Sequence, residues 1–172
     1  MYAGLLESMF TGGGFEVLYR PVDSRLAIGM DVNYVAQRDF DEPFKVRDYR
    51  VATGHITAYW NPEWLDDILI KVSAGRCLAK DVGATFDIAK RFDSGIVVGA
   101  YAAKTNVSSA EYGEGSFTKG FYLNFPFDLF TVTPSTGVTS FPWVPITRDG
   151  GQPLSRPSTL YDLTDVRSPF VK

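Results

Sequence analysis

The chain has 172 residues, and its 17 Lys and Arg against 20 Asp and Glu leave a formal net charge of −3. With 45% hydrophobic and 15% aromatic residues it is too apolar to be intrinsically disordered, and a mild acidic balance without a basic cluster excludes a typical nucleic-acid-binding protein. A single Cys and a single His exclude an internal disulfide and a zinc cluster of the Cys/His type.

The N-terminal third is predicted to contain short strands followed by one long strand. A strand is predicted at residues 15–20 with another nearer the N-terminus, and residues 12–14, all Gly, are predicted to bend the chain. Residues 25–37 (RLAIGMDVNYVAQ) alternate with a period of two. One parity carries Leu26, Ile28, Met30, Val32 and Tyr34, and the other carries Ala27, Gly29, Asp31, Asn33 and Gln37. Because successive side chains of a strand point to opposite faces, this pattern predicts one apolar and one polar face.

The same alternation recurs later in the chain. It is clear at residues 68–75, 82–89 and 120–127, whereas 49–60 and 95–104 do not show which parity faces which side. Turn-forming residues separate these segments, and longer loops are predicted at 39–45 and 105–116. Strands of about ten residues joined by hairpins predict an all-β antiparallel meander, with no room for parallel crossovers.

Two interpretations of the apolar parity remain open at this point. In a soluble barrel or sandwich it faces the core, and in an outer-membrane barrel it faces lipid while the polar parity lines a wet lumen. The polar parity is rich in Gly, Ala, Ser, Thr and Asn and poor in Lys and Glu, unlike a typical solvated face. Aromatic residues also gather near predicted strand ends, as in interfacial girdles. We therefore expect an outer-membrane β-barrel or an arc of one. The alternative is a soluble β-fold that binds an apolar ligand or packs in an envelope complex.

On the membrane interpretation the chain has two parts. Residues 1–130 are expected to form about eight transmembrane strands, and residues 131–172 to supply the final strand or strands and a lumen or periplasmic loop. The sequence contains no stretch of about 18 consecutive apolar residues, so no transmembrane helix is predicted. The expected location is the outer membrane of a Gram-negative bacterium.

Four blocks of sequence resemble one known family in order along the chain. They are EVLYRPVDSRLAIGMDVNYVAQRDFD (16–41), RDYRVATGHITAYW (47–60), AKRFDSGIVVGAYAAKTNVSSAEYGEGSFTKGFYLNFPFDLF (89–130) and WVPITRDGGQPLSR (143–156). The family is the YjbH/GfcD type of exopolysaccharide or capsule protein. The resemblance implies a non-enzymatic outer-membrane β-barrel associated with polysaccharide secretion, so the implied partners are extracellular polysaccharide, outer-membrane lipid and other export proteins, with no nucleic acid.

Family members of this type are several times longer, and this chain resembles their C-terminal segment. We therefore expect that Met1 is internal to a longer protein and that the strands form one arc of a larger barrel. On that interpretation the edge strands pair with sequence outside this chain, because lipid cannot satisfy an open backbone edge.

No catalytic or cofactor site is predicted. His55 lacks a partner nucleophile, because Cys77 belongs to another predicted strand and no GxSxG motif is present. Two acidic groups, Asp66–Asp67 and Asp39–Asp41–Glu42, lie in predicted turns, where solvated carboxylates are expected. A glycan-active enzyme therefore remains a third interpretation without a placed carboxylate pair. No cofactor or metal is expected.

Nine residues are candidates for lumen or glycan contacts. They are Asp31, Asn33, Lys71, Asp87, Tyr122, Trp143, Arg148, Asp149 and Gln152. In the non-periodic stretch 143–156, the favoured interpretation is structural: Arg148 and Asp149 brace a loop by a salt bridge. The alternative is a glycan contact, in which Trp143 stacks on sugar while Arg148, Asp149 and Gln152 hydrogen-bond it.

Overall fold

The computed structural model describes residues 1–39, 42, 45–106, 117–132, 135, 137–144, 151–156 and 158–166. Nine antiparallel strands form one sheet in chain order, and each strand pairs with its neighbours in sequence. The strands are β1 Tyr2–Leu5, β2 Phe10–Tyr19, β3 Leu26–Arg38, β4 Val46–Trp60, β5 Ile68–Arg76, β6 Val82–Arg91, β7 Val97–Thr105, β8 Thr118–Pro126 and β9 Val138–Trp143. A 3-10 turn, Phe127–Leu129, follows β8, and helix α1 spans Leu160–Val166. The all-β antiparallel meander is confirmed, and within the described residues its edges β1 and β9 do not close on each other.

Tight turns connect the strands where turn-forming residues separate the alternating segments. Asp23 and Lys80 adopt positive φ angles of 62° and 66°, and Gly95 adopts 81°. The Gly95 N–H donates to the Phe92 carbonyl at 2.7 Å, which closes the turn between β6 and β7. Asp and Gly tolerate this left-handed backbone better than most residues, and for that reason they mark hairpin turns in the sequence.

The predicted bend at residues 12–14 is wrong, because these glycines lie inside β2. Gly12, Gly13 and Gly14 pair on one side with β1 and on the other with β3. A Cβ on Gly14 would lie 2.8 Å from the ring of Tyr2. The glycines therefore permit a close approach of side chains from β1, which the local sequence does not reveal.

β3 defines two faces of the sheet, one apolar and exposed, the other buried and mixed in polarity. Ala27, Asp31, Asn33 and Val35 are all buried. The other parity, with Leu26, Ile28, Met30, Val32 and Tyr34, is exposed by 45–59%. We call the face that carries Asp31 and Asn33 the inner face and the opposite one the outer face.

Strand registers extend both faces across the sheet. On the outer face, Met30 lies between Val17 of β2 and Ile56 of β4, and these three side chains are 46%, 45% and 57% exposed. On the inner face, Asp31 lies between Glu16 and His55. The outer face is therefore apolar and exposed over neighbouring strands, whereas the inner face carries ionisable groups.

Residues 151–156 and 158–166, which we call the covering segment, lie over the inner face of the first strands. Leu154 is buried in an apolar cluster with Phe10, Val35, Val51 and Leu78. This burial of apolar side chains between the returning chain and the sheet is a small core that holds the C-terminal segment in place.

Helix α1 packs at the other end of this segment, although the sequence pattern predicts no helix. Tyr161 stacks on Tyr59 with ring centroids 3.9 Å apart and an interplanar angle of 2°, and its hydroxyl donates to Asn61 Oδ1 at 3.1 Å. Tertiary contacts of this kind stabilise a seven-residue helix that is too short to be stable alone. Among the described residues, no helix is long and apolar enough to cross a membrane.

Candidate polar site on the inner face

Arg156 is the centre of a buried polar cluster on the inner face. Its guanidinium lies 2.9 Å from Glu16 Oε2 and 3.5 Å from Asp31 Oδ1, and the three side chains are only 9–12% exposed. Its Nη1 also donates to the Tyr2 hydroxyl at 3.2 Å. Arg156 therefore joins the C-terminal segment to β1, β2 and β3 through one side chain.

The remaining oxygens of both carboxylates also accept hydrogen bonds. Asn33 Nδ2 donates to Asp31 Oδ2 at 2.6 Å, and the Leu160 backbone N–H donates to Glu16 Oε1 at 3.1 Å. The Tyr2 hydroxyl donates to Asn33 Oδ1. Since buried charges are costly unless they are paired and hydrogen-bonded, this network explains how two carboxylates remain under the covering segment.

The charge environment of Arg156 is dominated by its partners. Burial by itself lowers the pKa of the Arg156 guanidinium, but the carboxylates of Asp31 and Glu16 outweigh burial and leave that pKa above its ordinary value. Arg156 is therefore a fixed positive charge, and the cluster acts as a structural tie between the sheet and the C-terminal segment.

A second polar cluster lies further along the inner face, on β5, β6 and β8. Lys71 Nζ lies 3.6 Å from Asp87 Oδ1, and the Tyr122 hydroxyl donates to the same oxygen at 3.0 Å. The Lys71 side chain is 31% exposed and that of Asp87 14%, so this cluster is more accessible than the Arg156 network. Its charges balance, with one ammonium against one carboxylate.

The nine predicted contact residues do not form a single site in the structure. Asp31 and Asn33 belong to the Arg156 network, and Lys71, Asp87 and Tyr122 form the second cluster. The prediction for Arg148 and Asp149, both as glycan contacts and as a salt bridge, lies outside the described residues.

The two other predicted residues lie away from both clusters. Trp143 is on the outer face, 58% exposed, with its ring stacked on Phe121 at 5.1 Å, so it does not share the inner face with the other candidates. The Gln152 side chain is exposed, while its backbone carbonyl accepts a hydrogen bond from the Leu78 N–H at 3.0 Å. Gln152 thus helps to fix the start of the covering segment on the β5–β6 turn.

Glu16 and Arg156 are two members of the inner-face cluster that sequence reasoning missed. Glu16 pairs in register with Asp31, and the predicted strand at 15–20 would have placed its side chain on the polar parity once that register was known. Arg156 is the last residue of the polar stretch 143–156, but no periodic pattern in the sequence connects it with β2 and β3.

His55 and Cys77 are closer than the sequence predicts. Cys77 Sγ lies 3.7 Å from His55 Nε2, because β4 and β5 are paired and Gly75, two residues before Cys77, lies opposite His55. Burial raises the pKa of the Cys77 thiol from 9.0 to about 12, with the Asp81 carboxylate adding to the effect. The thiol is therefore protonated at neutral pH, which is unfavourable for a nucleophile. No group of ligands that could hold a metal ion occurs within the described residues.

Cys77 is expected to resist alkylation in the folded protein. At about pH 8, iodoacetamide should label Cys77 much more slowly in the native chain than in urea, because a buried thiol with a raised pKa forms little thiolate. Mass spectrometry of the labelled peptide gives the rates, and equal rates in both states would contradict the expectation.

The raised pKa of Cys77 also makes the stability of the fold depend on pH. The folded state holds the thiol proton more tightly than the unfolded state does. The stability that the thiol contributes is therefore complete below pH 9.0 and is lost as the pH rises towards 12.

Comparison with known proteins places the chain in a family. The chain is 56% identical over 171 residues to the "Uncharacterized lipoprotein YjbH" of Escherichia coli (strain K12), which covers 98% of this chain and 24% of that protein. The chain thus spans about a quarter of the length of this relative. No solved structure matches it. The model of the family described as exopolysaccharide biosynthesis protein YbjH matches residues 1–166, and the chain belongs to that family.

Proposed function

We propose that this chain forms part of an outer-membrane β-barrel of a Gram-negative bacterium that supports exopolysaccharide secretion and has no enzymatic role. The observation that carries the proposal is the exposed apolar face of the sheet, which lies opposite a buried face that carries polar residues. From Leu26 to Tyr34 in β3, every second residue is apolar and exposed, while the residues between them, including Asp31 and Asn33, are buried. This alternation of apolar-out and polar-in is typical of strands that face lipid on one side and a lumen on the other.

The composition of the outer face favours lipid over water. Exposed apolar side chains run across at least five adjacent strands, for example Val17, Met30, Ile56, Val72 and Phe86. A contiguous apolar surface of this kind is rare on soluble monomers and marks a contact with lipid or protein. Outer-membrane lipid is therefore the proposed partner of this face.

The inner face offers polar groups to a hydrophilic polymer. Lys71, Asp87 and Tyr122 belong to its more accessible part, whereas Asp31 and Asn33 are engaged with Arg156. The mechanism is passive: weak, distributed hydrogen bonds let a polysaccharide dock or pass without being cleaved. Membership of an exopolysaccharide biosynthesis family supports this partner, and other exopolysaccharide-export proteins are proposed to act with it. The E. coli relative is named a lipoprotein, which is consistent with an envelope location.

The absence of an enzymatic role is part of the proposal. The Cys77 thiol near His55 is held protonated, and the buried carboxylates of Glu16 and Asp31 are both paired with Arg156. Asp87 is likewise engaged by Lys71 and Tyr122. Groups that are occupied in this way are poor general acids or nucleophiles, because catalysis needs them free to exchange a proton or attack.

Fractionation of cells that express the full-length protein tests the proposal. We expect it in the outer-membrane detergent fraction, with a gel mobility that changes on boiling, as for a folded transmembrane barrel. Deletion of its gene should lower the amount of secreted polymer, and purified protein should leave polymer chain length unchanged. Recovery of a monomer that remains in solution without detergent would refute the membrane location, and shortened polymer would refute the non-enzymatic role.

A second candidate is a soluble β-fold that binds an apolar ligand or partner. The observation that favours it is a shallow apolar hollow of about 300 Å³ on the outer face, lined by Leu26, Ala58, Trp60, Ile70 and Val72. The same fractionation separates the two candidates, because this one predicts a protein that stays in the soluble envelope fraction.

A further inference from the structure

Two tyrosines cross two glycines on the inner face of β7 and β8. In the antiparallel register, Gly99 lies opposite Tyr122 and Tyr101 lies opposite Gly120. A Cβ on Gly120 would lie 2.8 Å from Cε1 of Tyr101, and a Cβ on Gly99 would overlap the ring of Tyr122. Each ring therefore lies across the glycine of the neighbouring strand. We call these two side chains the tyrosine platform.

The platform exists because both opposing residues are glycines. Any larger residue at position 99 or 120 would push the ring away from the sheet, since a Cβ points towards the same face as the ring. With one side of each ring against the backbone, the other side is directed towards the space above the inner face. Both tyrosines remain only half-buried.

Polar groups flank the platform on one side. Asp87 lies opposite Tyr101 in the register of β6 and β7, and Lys71 lies opposite Asp87 on β5. The Tyr122 hydroxyl donates to Asp87 at 3.0 Å, and the Lys71 ammonium lies 3.6 Å from the same oxygen and 5.9 Å from the centroid of the Tyr122 ring. The row thus combines aromatic surface, an acceptor and a donor with no net charge.

We infer that the tyrosine platform, with Asp87 and Lys71, binds uncharged pyranose units of the exported polymer. The C–H groups on the face of a pyranose ring carry a partial positive charge and pack on the negative face of an aromatic ring. The equatorial hydroxyls of the same sugar can donate to Asp87 and accept from Lys71. A uronic acid would bring its carboxylate near that of Asp87, and the single positive charge of Lys71 is already paired with Asp87. Acidic sugars are therefore expected to bind less tightly than neutral ones.

This inference deepens the proposed function and depends on it. It also divides the inner face into two parts with separate roles. The Arg156 network under residues 151–166 is structural, while the platform on β7 and β8 is the polymer contact. Tyr101 is not among the contact residues that the sequence predicts, because its parity is undecided there. Its pairing with Asp87 places it on the inner face.

The test measures binding of exopolysaccharide to the full-length protein in detergent. The probe is polymer purified from cells that produce this protein, separated by anion exchange into neutral and acidic fractions, and the readout is isothermal titration calorimetry. The neutral fraction should bind, and Tyr101→Leu and Tyr122→Leu should each weaken that binding by about tenfold. Tyr122→Phe keeps the ring and should remain within about twofold of the wild type.

Two controls separate loss of the site from loss of the fold. Trp143→Leu removes an aromatic ring from the outer face and should leave binding unchanged. The boiling-dependent gel shift must persist in every variant. A leucine variant without it is replaced by Gly120→Ala, whose Cβ would displace the Tyr101 ring and should likewise weaken binding. Unchanged binding in both leucine variants, tighter binding of the acidic fraction, or no binding of either fraction would overturn the platform.

The two proposals fail in different ways. A protein found outside the outer membrane removes the proposed function, whatever the platform binds. A protein that is located in the outer membrane and needed for secretion, but binds polymer equally well without Tyr101 and Tyr122, removes only the platform.

Discussion

Replacement of Arg156 by alanine is expected to destabilise the folded chain by about 3–5 kcal/mol, because it leaves two buried carboxylates without their counter-charge. Glu16 and Asp31 both lose an ion pair, and Tyr2 loses a hydrogen bond. The covering segment should detach first, since Arg156 holds it to three strands. Equilibrium unfolding of the full-length protein in urea, in the lipid or detergent in which it is folded, gives the free energy of unfolding.

The chain contains a matched control for this effect. Arg25 pairs with Glu63 at 3.1 Å, but these side chains are 56% and 77% exposed. Arg25→Ala should therefore cost less than about 1 kcal/mol, because water screens an exposed pair. The contrast with Arg156 therefore measures what the buried network of Glu16, Asp31 and Tyr2 adds to an exposed ion pair.

Removal of the orphaned charges should restore part of the loss. Adding Glu16→Gln and Asp31→Asn to Arg156→Ala is expected to recover stability, because neutral amides cost less to bury than carboxylates. If Arg156→Ala and Arg25→Ala have equal effects, the inner cluster is hydrated and the structural role of Arg156 is refuted.

Substitution of Met30 by arginine tests the outer face and should cost about 2–4 kcal/mol if that face contacts lipid. Met30 is the middle one of the five apolar outward residues of β3, and its neighbours Val17 and Ile56 are apolar as well. In water the same change would be nearly neutral, because Met30 is already 46% exposed and a surface substitution usually changes stability by no more than about 0.5 kcal/mol.

The control for this experiment is Val22→Arg. Val22 lies in the turn between β2 and β3 and is 81% exposed, so its substitution should be neutral in either environment. The amount of folded protein in the outer membrane and its unfolding free energy in lipid vesicles are the two measurements. A Met30→Arg variant as stable and abundant as Val22→Arg would contradict a lipid-facing outer surface.

The strand pattern could be predicted where the two parities differ in polarity. Residues 25–37 predict a strand, and β3 spans Leu26–Arg38 with the two parities on opposite faces. The facing of residues 49–60 and 95–104 could not be predicted, because both parities there are apolar or mixed. Strand pairing decides which way these residues face. His55 lies opposite Asp31 and Tyr101 lies opposite Asp87, so His55 and Tyr101 are on the inner face.

The candidate site was only partly predictable for a related reason. Asp31, Asn33, Lys71, Asp87 and Tyr122 stand at polar positions of alternating segments, so the pattern alone indicates them. The partner of Asp31 is 125 positions further along the chain, and Arg156 reaches it through a segment without periodicity. No local rule connects such residues, since loop closure over this distance depends on the whole fold.

The sequence by itself determined that the chain is an antiparallel β-meander with one apolar and one polar side, and that it belongs to an exopolysaccharide biosynthesis family. Both follow from information that is local or carried in consecutive blocks of sequence: a period of two, turn residues and blocks that resemble the family in order along the chain. The tertiary structure alone decided that the polar side is the covered one, that Arg156 pairs with both Glu16 and Asp31, and that two tyrosines lie across two glycines. These features depend on strand register and on the return of residues 151–166, because burial and charge pairing are properties of neighbours in space.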